Sequence, residues 1–188
     1  MGIPTLIKTL TASNSASLEF VDGASSVVLD STYDEYMFVF TDIHPATDQV
    51  TLGFQVNATD DAGGGYDTSL ITSSAFYAYH KEDDSGTPNV AYYGGGDLAQ
   101  AANYQPMTNE VDNDNDSSAA GILHLFSPSS TTYVKHFYSR FHNVQDTPYA
   151  VGVFVAGNIN DTTAIDEISF KFSSGNIDAG TIQLYGIA

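Results

Sequence analysis

Strict alternation of polar and apolar residues, rather than any helical period, governs this chain. In residues 167–172 (Glu-Ile-Ser-Phe-Lys-Phe) the side chains of Ile168, Phe170 and Phe172 fall on one side of an extended backbone. Residues 51–57 repeat the pattern, with Leu52, Phe54 and Val56 on one face and Thr51, Gln55 and Asn57 on the other. Both segments are predicted as strands with one buried and one wet face. Three further stretches, residues 36–40, 122–126 and 151–155, are continuous apolar runs, which suits strands covered on both sides in the middle of a sheet or in an interface. Other strands are expected at 17–21, 27–29, 133–142 and 181–187, each bounded by Gly, Pro, Asn, Asp or Ser, for a total of eight to ten. Helix has little support, because Thr, Ser, Gly and β-branched residues dominate; only 97–102 and 68–79 read as partly helical.

Many short strands with no alternating helices predict an all-β, antiparallel β-sandwich, jelly-roll-like, with long irregular loops in the middle third. The 188 residues suit a single domain over 1–188, with 1–15 as an extended N-terminal arm. The middle third holds two glycine triplets, 63–65 and 94–96, flanked by Tyr66, Tyr92 and Tyr93. Long loops in a compact β domain often carry function, so this region is the expected contact surface.

Charge narrows the partners. The chain carries 23 Asp and Glu against 5 Lys and Arg, a formal net charge of −18. Lys8, Lys81, Lys135, Arg140 and Lys171 are scattered singly, so neither nucleic acid nor an anionic membrane surface would find a basic patch. No apolar run is long enough to span a bilayer, and no secretory leader is recognisable. There is no cysteine, which removes disulfides, thiolate catalysis and Cys-ligated zinc.

Residues that could carry chemistry form no recognisable catalytic set. Asp112, Asp114 and Asp116 place oxygen ligands of the kind calcium takes at two-residue intervals. However, Ser117 stands where an EF-hand loop needs glycine and His124 where it needs glutamate, so a solvated turn is the preferred reading over a non-EF calcium site. The histidines, His44, His80, His124, His136 and His142, lack zinc-site spacing; His136 and His142 would share a strand face with Arg140. Nucleophile-elbow, dinucleotide and P-loop motifs are absent, so no enzyme activity and no cofactor are expected. The best binding signal is aromatic: Tyr66, Tyr92, Tyr93 and Tyr104 are the candidate interface or ligand contacts.

The C-terminal stretch from Ile168 to Ile187, FKFSSGNIDAGTIQLYGI at its heart, resembles a closing hairpin of uncharacterised jelly-roll structural proteins of tailed, often marine, bacteriophages. Residues 17–21 and 33–40 resemble the same proteins. The resemblance implies a virion structural protein on the particle surface, assembled in the host cytoplasm: a capsid decoration or cement protein, head fibre or tail fibre component. It further implies a homo-oligomer, with a trimer favoured, contacting other virion proteins. A lectin-like carbohydrate-binding module recognising a host surface glycan is the alternative from a different class.

Overall fold

The structure, a computed structural model, describes residues 2–59, 66 and 69–188. The glycine triplet 63–65 and the first residue of the expected 68–79 segment lie outside the described residues. Among the described residues there are twelve strands: β1 (Thr5–Thr11), β2 (Leu18–Val21), β3 (Glu35–Pro45), β4 (Leu52–Ala58), β5 (Ile71–Lys81), β6 (Asn89–Tyr92), β7 (Gln105–Pro106), β8 (Ala119–Phe126), β9 (Lys135–Val144), β10 (Tyr149–Ile159), β11 (Ile165–Phe172) and β12 (Ile177–Ile187). They form an eight-stranded sheet in the order β1-β12-β3-β8-β9-β10-β5-β6 and a four-stranded sheet in the order β2-β11-β4-β7. All pairings are antiparallel, and the two sheets pack as a sandwich. Among the described residues there is no helix, and so none long and apolar enough to cross a membrane.

The pairings nest. β3 pairs with β12, β4 with β11, β5 with β10, and β8 with β9, as when one long antiparallel hairpin is rolled up. This is the jelly-roll pattern, with one departure: the innermost pair, β8–β9, joins the large sheet between β3 and β10 instead of extending the small one. The C-terminal segment expected to be a hairpin is instead a crossover. β11 lies in the small sheet and β12 in the large one, so the turn at Ser173–Asn176 carries the chain across the sandwich. Gly175 (φ 70°) in that turn and Gly180 (φ 115°), at a register shift in β12, both need left-handed backbone, which glycine adopts without a Cβ clash.

Several expectations change on contact with the structure. The segment expected to look helical between 68 and 79 contains most of β5, because its alternating residues Ile71, Ala75, Tyr77 and Tyr79 line one sheet face. Residues 97–102 are irregular, and 27–29 contribute buried Val27 and Leu29 without entering a sheet. Within the expected N-terminal arm, Thr5–Thr11 forms the edge strand β1 on β12. The apolar runs do fall mid-sheet, in β3, β8 and β10, but only one face of each is fully buried.

Between the sheets lies an aromatic core. Phe170 of the small sheet meets Phe38 and Phe40 of β3 with ring centroids 5.3 and 5.0 Å apart, and Phe54 meets Phe137 at 5.0 Å, all edge to face. Such pairs add about 0.5–1.5 kcal/mol each beyond area burial. The small sheet is also covered on its far side. Gln55 and Asn57, expected to be wet, are buried, and the Gln55 amide donates to Ser69 O at 3.3 Å and Asn103 O at 3.2 Å. Among the described residues no strand or loop covers the outer face of the large sheet, where Phe76, Tyr92 and Tyr138 are exposed.

Candidate functional site

The open face of the large sheet is built from cross-strand rows. Antiparallel register aligns Tyr92, Phe76, Phe154, Arg140, Ile122, Val39 and Gln183 in one row from β6 to β12. The next row runs Ser74, Ala156, Tyr138, His124, Met37 and Tyr185, and on the other side lie Val90, Ala78, Gly152, His142 and Ala120. Strand alternation turns all of these side chains away from the core.

These rows are aromatic and carry no acid. Phe76 and Phe154 stack with centroids 4.8 Å apart and planes 6° from parallel, and Arg140 lies over the Phe154 ring at 5.5 Å. His124 stacks on Tyr138 at 4.5 Å, and its Nδ1 pairs with Glu35 at the edge of the face. Large apolar side chains stand in water: Val90 is 64% exposed, Tyr92 63%, Phe76 46% and Tyr138 42%. A depression of about 270 Å³ opens between Phe76, Tyr138, Arg140 and Phe154. Of the 23 acidic residues of the chain none stands in the three rows, whereas Arg140, His124 and His142 all do.

The four tyrosines singled out in the sequence are dispersed rather than gathered. Tyr92 belongs to the outer face and donates to Asp97 Oδ2 at 2.7 Å, a bond that raises its own pKa above the usual tyrosine value. Tyr93 turns inward, packs edge to face on Tyr77 at 5.3 Å and donates to Thr108 O at 3.3 Å; burial pushes its pKa up. Tyr104 and Tyr66 sit over the far side of the small sheet. The Tyr104 ring receives the Lys171 ammonium at 4.1 Å, and half-buried Tyr66 is held beside Glu167, burial first and the neighbouring carboxylates second raising its pKa. Of the residues that make the outer face, Tyr138 and Arg140 could have been found from the even spacing of Tyr138, Arg140 and His142 along one strand, whereas Phe76 and Phe154 join them only through strand pairing.

Asp112, Asp114 and Asp116 do not converge. Asp112 is buried and spends both carboxylate oxygens locally, accepting from the Asp114 amide at 3.3 Å and from Ser117 Oγ at 2.7 Å. Asp114 and Asp116 point to solvent. The carboxylates nearest Asp112 come instead from Asp48 and Asp146, with oxygens of all three within 4.8 Å of one another.

The chain matches no protein-family model, and no curated protein matches it in sequence.

Proposed function

We propose that this protein is a non-catalytic structural β-sandwich that works by assembling with copies of itself through the outer face of the large sheet, as an exposed component of a virion. The acid-free aromatic rows carry this reading. Two chains of net charge −18 repel wherever carboxylates face one another, so close self-association needs ground without acid. Five of the eighteen row positions are Tyr or Phe, Met37 and Arg140 join them, and Asp, Glu and Lys are missing, a bias shared with the cores of protein interfaces.

The three rows cross seven, six and five strands spaced about 4.8 Å apart, a mean width of about 24 Å. Spanning about 14 Å along the strands, they cover about 340 Å², so flanking residues must supply the rest of the roughly 800 Å² per partner of a standard interface. A cyclic trimer is the expected form, and the particle location rests on the resemblance to phage structural proteins.

Two measurements address the two halves of the proposal. Size exclusion with light scattering should give a mass of about three chains at micromolar concentration. Gold-labelled antibody should decorate intact particles, and unlabelled particles would remove the virion assignment while leaving the assembly claim to stand on mass alone.

A further inference from the structure

The opposite face of the same sheet holds a second feature, independent of assembly. Where β5 and β10 run past the cover of the small sheet, their inward side chains Tyr77, Tyr79 and Tyr149 form one wall of a cleft of about 360 Å³. Tyr79 meets Tyr149 edge to face at 5.7 Å, and Tyr77 lies beside Tyr79 at 5.5 Å. The facing wall is Asn109, Glu110 and Gln145. A second cavity of about 250 Å³ shares Glu110, Gln145 and Tyr149 with the first and extends the groove toward Gln49, Asp146 and Thr147.

The polar wall is held in place before any ligand arrives. Fully buried Asn143 clamps Asn109 in both directions, donating to its carbonyl at 2.7 Å and accepting from its amide at 3.3 Å. The Gln145 amide donates to Asn109 and, at 3.3 Å, to Glu110 Oε2. Glu110 (φ 47°) and Gln49 (φ 54°) both adopt left-handed backbone, which costs energy in residues with a Cβ and collects at sites where a side chain must be aimed.

We infer that this groove binds a neutral oligosaccharide. Its hydrogen-bonding groups are mostly of the kind that both donate and accept: three tyrosine hydroxyls, three amide side chains and the Thr147 hydroxyl. Sugar hydroxyls have that same double character. Glu110 and Asp146 add charge-assisted acceptors for hydroxyl donors. No lysine or arginine lines either cavity among the described residues, so sialylated, uronate or sulfated sugars meet two carboxylates and no countercharge. Two adjoining cavities suit a chain of more than one ring, and the aromatic wall offers ring and hydroxyl on one side chain.

The test is saturation-transfer NMR with millimolar neutral oligosaccharides (gluco-, galacto-, manno- and N-acetylglucosamine oligomers) beside sialyl-, uronate- and sulfate-bearing ones. Tyr149→Phe removes one hydroxyl and keeps the ring, so it should fold; with Glu110→Gln it should weaken binding about tenfold, a loss of one strong hydrogen bond. Tyr133→Phe, at an exposed position outside both the groove and the acid-free rows, should leave binding unchanged. Transfer to at least one neutral sugar, weakened about tenfold in the two cleft variants at unaltered melting temperature, is the expected result. No transfer to any neutral sugar, preference for the acidic panel, or binding indifferent to both variants would overturn the inference. None of these outcomes depends on the oligomeric state.

Discussion

The hydroxyl of Tyr104 donates to Ser169 Oγ at 3.1 Å, on the side of the small sheet that alternation alone would leave in water. Ser169 is fully buried there, between Ile168 and Phe170, which are buried on the opposite face.

Both faces of β11 should therefore respond to substitution. Phe170→Ala, which empties the centre of the Phe20–Phe38–Phe40 cluster, should cost about 3–5 kcal/mol. Ser169→Ala should cost about 1 kcal/mol by removing the buried hydroxyl that accepts from Tyr104. Denaturant unfolding measures both, and a neutral Ser169→Ala would mean that the far side of the small sheet is wet.

Asp166 is a destabilising acid. One of its carboxylate oxygens is buried without a hydrogen-bond partner, and burial first, then Glu167, raises its pKa above the ordinary aspartate value. A raised folded-state pKa means the native state prefers the protonated acid, so wild-type stability from this group is present at low pH and lost as pH rises through the aspartate range. Asp166→Asn should accordingly stabilise the protein at pH 7 by up to about 1 kcal/mol. The gain should vanish at about pH 3, below the unfolded pKa. A gain that stays constant with pH would contradict this assignment.

The grouping of Asp48, Asp112 and Asp146 sets three like charges within 4.8 Å. Asp48 is exposed, so Asp48→Asn should relieve repulsion without disturbing the Asp112 turn and should raise the melting temperature by about 1–3 °C in the presence of chelator. A lower melting temperature would show that Asp48 holds the loop by a contact rather than straining it.

How far the sequence revealed this molecule depends on the distance over which the relevant interaction acts. Alternation in residues 168–172 correctly placed Ile168, Phe170 and Phe172 in the core, because a strand's facing is set by neighbours two positions apart. The same alternation misplaced Gln55, Asn57 and Ser169: residues distant in sequence supply the hydrogen bonds of Gln55 and Ser169, and Asn57 is buried with its amide toward Glu167 of the neighbouring strand. The partly helical look of 68–79 yielded to β5 because pairing with β10 along the whole strand outweighs local propensity. Loop tyrosines drew attention to Tyr66, Tyr93 and Tyr104, yet the open face is made by Phe76, Tyr138, Arg140 and Phe154. Their alignment exists only once three strands, β5, β10 and β9, are in register.

Assembly through the outer face is tested most directly by sedimentation velocity of wild type and Phe154→Glu at micromolar concentration, in dilute buffer and at seawater-like ionic strength. Phe154 points outward, so the substitution leaves the core intact while placing an acid in the centre of the acid-free rows. Screening of the −18 charge beyond about 3–10 Å should strengthen association as salt rises. The expected result is a discrete oligomer for wild type, larger in population at high salt, and a folded monomer for Phe154→Glu. A wild-type monomer in both buffers, or an oligomer that Phe154→Glu leaves unchanged, would contradict the claim.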